Sequence, residues 1–192
     1  MKLIKNYMTW LFESRQEEVN EKKATYNYGC AMLYFDFPEV TELHEKINPN
    51  HLWKKDEDSD STYDDGLETE PHCTLLYGLH KEVSDEMVEN IMKNYAFGNC
   101  TIKNASLFEN EEFDVLKFDV EGDNLHDCNK ELCKLPHTTD FPNYHPHLTV
   151  AYLKPGMGKE YAEMFKDRMY ELKPKYVVYS KPDETKTIIE LK

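Results

Sequence analysis

One short pattern occurs twice in this chain. Pro71-His72-Cys73-Thr74-Leu75-Leu76-Tyr77-Gly78 and His145-Pro146-His147-Leu148-Thr149-Val150-Ala151-Tyr152-Leu153 each place a proline before His-x-Thr and an apolar run after it. Apolar residues alternating with polar or small ones mark strands, whose successive side chains point to opposite faces. His72 then shares a face with Thr74, and His147 with Thr149, while Leu148 and Val150 point away. An imidazole and a hydroxyl side by side on a rigid element can move a proton and hold an anionic oxygen.

The surrounding elements repeat as well. A strand from Tyr28 to Phe37 leads into a helix that starts after Pro38, carries Val40, Leu43, His44 and Ile47 on one side, and stops at Pro49. A long loop, 49–70, precedes the first His strand. Ser84 then caps a helix with Val88, Ile91, Met92 and Tyr95 on its apolar face, and Val83 and Val88 are placed for a hydrophobic staple. Two strands follow, Thr101 to Phe108 and Phe113 to Glu121; in the second, Phe113, Val115, Lys117 and Asp119 oppose Asp114, Leu116, Phe118 and Val120. The next helix presents Leu125, Cys128, Leu132 and Leu135, and Pro136 ends it. After the second His strand, Pro155-Gly156 turns into a helix expected to bury Tyr161, Met164, Phe165, Met169 and Leu172. Tyr176 to Ser180 and Thr185 to Leu191 close the chain as a hairpin. The unit of helix, His strand, helix and two strands thus appears twice, and an internal repeat is the first organising fact of a fold. The expected fold class is α+β: a bilobal, pseudo-twofold fold with two antiparallel sheets lining a central cleft and helices outside. Residues 1–27 are expected to form an N-terminal helical extension, with an apolar stripe of Leu3, Ile4, Tyr7, Met8 and Leu11; 28–192 form a single domain.

Composition narrows the function. A net charge of −14, without a basic patch, argues against duplex nucleic acid as a partner and leaves a small phosphorylated ligand possible. No apolar run is long enough to span a membrane, and the N-terminal one is too short for a secretory signal. The five cysteines contain no C-x-x-C pair and read as free thiols of a reducing, cytoplasmic compartment. Asp56-x-Asp58-x-Asp60 opens like a calcium loop but has Ser61 where glycine is needed and Leu67 where glutamate is needed, so 49–70 reads as a solvated loop or lid. Trp53 is an aromatic that such a lid could lay over a ligand. His145 has no third ligand with which to hold zinc, and no metal site is expected.

Two histidines on opposite sides of a phosphate suit one reaction in particular. Attack by a neighbouring 2′-hydroxyl needs a base for that hydroxyl and an acid for the leaving oxygen, and imidazole titrates where both forms are accessible. Thr74 and Thr149 would hold the non-bridging oxygens. The nucleophile belongs to the substrate, so no cofactor is required. Tyr28, at the mouth of the first strand, and Phe108, at the end of another, are the candidate platforms for a base.

On these motifs the chain resembles the 2H phosphoesterase (LigT-like) superfamily, which is defined by two His-x-Thr/Ser motifs in a bilobal fold; the resemblance spans roughly residues 28–191. The texture of 71–80 and 145–153 is most similar to the phage anti-CBASS branch, whose members degrade the cyclic dinucleotides and cyclic oligonucleotides of bacterial immunity. That resemblance implies a catalytic set of His72, Thr74, His147 and Thr149, a small cyclic nucleotide substrate, and a viral protein acting in a bacterial host's cytoplasm. The alternatives are a 2′,3′-cyclic phosphodiesterase acting on RNA ends and a non-catalytic sponge for a nucleotide messenger.

Overall fold

The computed structural model describes residues 28–54, 66–139 and 143–191. The expected N-terminal helix and the middle of the acidic loop lie outside the described residues. The described chain forms β1 (Gly29–Phe35), α1 (Val40–Lys46), β2 (His72–Leu79), α2 (Asp85–Met92), β3 (Cys100–Glu109), β4 (Asp114–Glu121), α3 (Leu125–Leu132), β5 (His147–Leu153), α4 (Lys159–Phe165), β6 (Tyr170–Leu172), β7 (Pro174–Ser180) and β8 (Lys186–Glu190). The two expected sheets are one eight-stranded sheet, ordered β6-β3-β4-β5-β2-β1-β7-β8. Every pairing is antiparallel.

The His strands are the two central strands, and the sheet is pseudo-twofold about their seam. The repeat does not build one half per copy, however. After β2 and α2 the chain crosses to β3 and β4 in the other half, and after β5, α4 and the edge strand β6 it crosses back to β7 and β8. The helices cross as well: α1, which precedes β2, packs on β5, and α3, which precedes β5, packs on β2. Each half therefore needs both copies, so the repeat forms one folding unit. The helices cover one face, where Val40, Leu43, Val88, Leu125, Leu132 and Phe165 meet Leu33, Cys73, Leu75, Leu148 and Val150 from the strands.

Both His strands carry a β-bulge at the same place. Ala31 pairs with Leu76 and Met32 with Thr74, leaving Leu75 as the extra residue; Leu116 pairs with Ala151 and Lys117 with Thr149, leaving Val150 extra. A bulge frees a backbone group from the ladder, and a buried carbonyl must find another donor. Asn129 of α3 donates its side-chain amide to the Leu75 carbonyl at 2.7 Å, and His44 of α1 donates from Nε2 to the Val150 carbonyl at 3.0 Å. His44 was expected to be a partly buried side chain, and it is; the bulge gives it a task.

Three sequence expectations need correcting. Pro49 opens a 3₁₀ turn, Pro49–His51, instead of only ending α1, because its fixed φ suits a first helical position. The last helix stops at Phe165, and Tyr170–Leu172 is a short edge strand on β3. Met164 and Met169, expected inside, are 55% and 66% exposed.

Replacing Asn129 with alanine should leave the Leu75 carbonyl without its donor and cost about 1–3 kcal/mol. Urea unfolding of Asn129→Ala measures this, and a loss below about 0.5 kcal/mol would show that the bulge needs no cap.

Candidate active site

The seam between the two halves sets the geometry. β2 and β5 share a single ladder pair, Cys73 opposite Leu148, and both side chains are fully buried toward the helices. One residue along in each direction, an antiparallel register sets His72 across from Thr149 and Thr74 across from His147. The four residues resembling the superfamily's catalytic set therefore sit together on the face that the helices leave open, each partly buried.

Beyond that pair the strands part, and loops take the vacated edges. On β5, the amide of Glu68 donates to the Val150 carbonyl at 3.0 Å, and that of Trp53 donates to the Tyr152 carbonyl at 3.0 Å. On β2, Thr138 donates to the Gly78 carbonyl at 2.9 Å. Gly78 is obligatory there: its φ is +108°, and a Cβ would lie 1.9 Å from the Thr138 carbonyl oxygen.

Both motif imidazoles are held in the same way. Nδ1 of His72 lies 2.7 Å from the Glu70 carbonyl oxygen, and Nδ1 of His147 lies 2.9 Å from that of His145. A carbonyl only accepts, so Nδ1 carries the hydrogen in both rings and Nε2 is the titrating nitrogen. His145 thus serves through its backbone, while its side chain is exposed. No group of three or more His, Cys, Asp or Glu able to hold a metal occurs among the described residues.

The surroundings of the two rings differ. On β1, Tyr34 pairs with His72 and stacks on it, with ring centroids 5.4 Å apart; Tyr176 of β7 stacks on Tyr34 at 5.4 Å. The buried Glu68 carboxyl, which accepts from the Glu70 amide, lies close enough to His72 for the two to interact electrostatically. Burial pushes the Glu68 carboxyl up, and His72 and the Glu70 amide offset part of that rise. Burial, with Glu70 and Glu68 nearby, likewise pushes the Tyr34 phenol up.

At the other motif, Lys117 is opposite Thr149 and Asp119 opposite His147. The Lys117 ammonium reaches Asp119 Oδ1 at 2.5 Å and lies 5.0 Å from the Phe108 ring centre, and Phe108 meets the His147 ring edge-on at 5.0 Å. The imidazole of His147 is driven down to about 4, first by burial and then by Lys117 and His72; the His145 carbonyl and Asp119 oppose the shift. At neutral pH His147 is therefore an uncharged ring with its proton on Nδ1.

Of the two aromatics chosen from sequence, the structure brings Phe108 to the site. Tyr28 is not brought there: it lies against Tyr77 and His80, at the opposite end of β2 from His72. Trp53 packs on Phe113, 5.0 Å away, in a small cluster with Val115, Phe108 and Tyr152 that adjoins the site. Tyr34, Tyr176, Glu68, Lys117 and Asp119 escaped the sequence reading because strand neighbours depend on register. Lys117 did leave a trace, as a charge in mid-strand between Leu116 and Phe118.

Comparison with known proteins bears on the fold. No family model matches the sequence, and no curated protein does. Among solved structures, the chain resembles that of Kluyveromyces marxianus Usb1 with uridine monophosphate. The TM-score is 0.54 at 8% identity, covering 87% of this chain and 100% of that one. At that identity the likeness shows a shared fold.

The depressed His147 has a consequence for stability. An unfolded imidazole titrates near 6.5, so between about pH 6.5 and 4 the unfolded chain binds the proton more readily than the folded one. Stability present above this window should fall as pH drops through it, by up to about 3 kcal/mol from this residue. His44, also lowered by burial, acts in the same direction. Urea midpoints from pH 7 to pH 4 should fall more for the wild type than for His147→Gln; parallel curves would show that His147 titrates normally.

Proposed function

We propose that the protein is a metal-independent phosphodiesterase that cuts 3′–5′ bonds in cyclic di- or oligonucleotide messengers and so counters the bacterial CBASS defence that makes them. The observation that carries the chemistry is the pair of His-x-Thr motifs meeting across one strand seam, each imidazole oriented by the carbonyl two residues before it. Tying down Nδ1 points the reactive lone pair or proton to Nε2 in both rings, the arrangement that in-line displacement at a single phosphate requires.

The unlike environments support a division of roles. His147, uncharged at neutral pH, takes the proton of the substrate's 2′-hydroxyl as that oxygen attacks phosphorus. His72, with the Glu68 carboxyl near it, gives its proton to the departing 5′-oxygen. The P–O2′ bond forms and the P–O5′ bond breaks, leaving one end as a 2′,3′-cyclic phosphate and the other as a 5′-hydroxyl. Thr74 and Thr149 hold the non-bridging oxygens, where negative charge grows in the transition state. Phe108 lines the binding surface beside His147.

The net charge of −14 supports a short substrate over a long polyanion. A second reading keeps the site but has water open a 2′,3′-cyclic phosphate at an RNA end. It is favoured by the fold likeness to Usb1, which was captured with a mononucleotide.

A panel of cyclic dinucleotides, cyclic oligonucleotides and RNA with 2′,3′-cyclic phosphate ends, incubated in EDTA and resolved by chromatography, separates the readings. Turnover confined to the RNA ends would replace the first reading with the second, and intact ligand bound by the protein would make it a sponge. His72→Ala and His147→Ala should each lower kcat/KM by about 10²–10⁴-fold while leaving the fold intact. A 2′-deoxy analogue cleaved as fast as the parent would end the internal-attack mechanism.

A further inference from the structure

The pseudo-twofold axis makes an internal control available. It relates Thr74 to Thr149 and His72 to His147, so it also relates their partners on the flanking strands. Met32 faces Thr74 and Tyr34 faces His72, whereas Lys117 faces Thr149 and Asp119 faces His147. At the position beside the threonine, one half of the sheet has methionine and the other has lysine.

We propose that Lys117 is a phosphate-holding residue of this site, its ammonium supplying the positive charge that draws the substrate's phosphate to Thr149 and His147. The proposal rests on the phosphodiester reading and adds to it a residue outside both His-x-Thr motifs.

Lysine is a costly choice here. The residue is 8% exposed, and burying an ammonium sacrifices hydration that one carboxylate seldom restores in full; well-packed apolar residues in place of a buried ion pair often stabilise a protein equally or better. Met32 shows that this fold accepts a flexible apolar side chain at the equivalent position. The strand itself therefore does not call for a charge.

What surrounds the ammonium suits an anion site. Asp119 Oδ1 holds it, while Asn104 donates to Asp119 Oδ2 at 3.3 Å and so keeps the carboxylate turned. The Phe108 ring lies beneath it, and cation–π contact strengthens as water is excluded. With Glu70 beside the other motif and a net charge of −14, a phosphate entering the cleft meets charge of its own sign unless a cation waits inside it. The groups that act on His147 are Lys117 and Asp119 from β4 and His72 from β2, with the His145 carbonyl from its own segment. Of these, Lys117 both attracts the phosphate and adds to the burial that lowers His147.

The test is Lys117→Met, which copies the residue of the other half. Binding of uridine 3′-monophosphate and inorganic phosphate to the full chain is followed by NMR, together with the His147 imidazole resonance across pH and, where a diester is cleaved, kcat and KM. The variant should melt no lower than the wild type, bind both anions roughly ten- to hundredfold more weakly, and show the His147 midpoint displaced to higher pH. Unchanged anion affinity and an unmoved midpoint would overturn the proposal. If Lys117→Met unfolds, the strand does need the charge; the same two readouts on Lys117→Gln, which can still donate to Asp119, then decide it. Anion binding that depends on Lys117 in a protein that cleaves no diester would defeat the phosphodiesterase reading and leave this one standing. Normal cleavage with an unaltered KM in the variant would do the reverse.

Discussion

The whole arrangement depends on how two neighbouring strands stop pairing. β2 and β5 touch through one ladder pair and then separate, and a buried backbone cannot leave its donors and acceptors open. The chain meets that demand five times in two related ways. Loop segments at Trp53, Glu68 and Thr138 take the vacated strand edges, and His44 and Asn129 cap the carbonyls of the two bulges. The crossing of helices between halves follows from this. A helix side chain can reach the bulge of the opposite copy only if its helix lies over that copy's strand, as α1 lies over β5 and α3 over β2.

That seam also assembles the candidate site. Bulges increase twist and re-aim side chains locally, and each lies directly after a His-x-Thr. Alternation before the bulge puts imidazole and hydroxyl on the open face; the shift after it buries two residues in succession, Leu75 with Leu76 and Val150 with Ala151. One strand thus serves a solvent-facing site at its start and a core at its end. The symmetry stops at the flanking strands. A stacked pair of tyrosines and a buried carboxyl border His72, while an ammonium, a carboxylate and a phenyl ring border His147. Duplicated imidazoles in unlike surroundings can play unlike parts.

Much of this was legible along the chain. The two His-x-Thr strands and the helix between Ser84 and Met92 follow from local periodicity, which side-chain burial enforces residue by residue. β4 is a strand as expected, but it is covered on both faces, with Asp114 to Phe118 buried in succession. Met169 lies outside because apolar spacing resembles a helix whether or not the chain goes on turning, and the helix ends at Phe165 before the Tyr170–Leu172 strand that pairs with β3. Met164 lies within α4 on the side away from buried Tyr161 and Phe165. Tyr28 was misplaced for a related reason: an aromatic at a strand's start can lie at either end of its neighbour, and antiparallel pairing with β2 put it beside His80.

Motif and period, both local properties, were enough to name His72, Thr74, His147 and Thr149 and to show that they come as a duplicated pair. Which residues stand beside them is non-local. Lys117, Asp119, Tyr34 and Tyr176 reach the site through strand register, and a slip of one residue would have turned each of them to the opposite face. The same holds for the joining of the two expected sheets into one, since the Cys73–Leu148 pair links residues far apart in the chain. Packing and backbone hydrogen bonding across the seam, acting on the folded whole, made that choice.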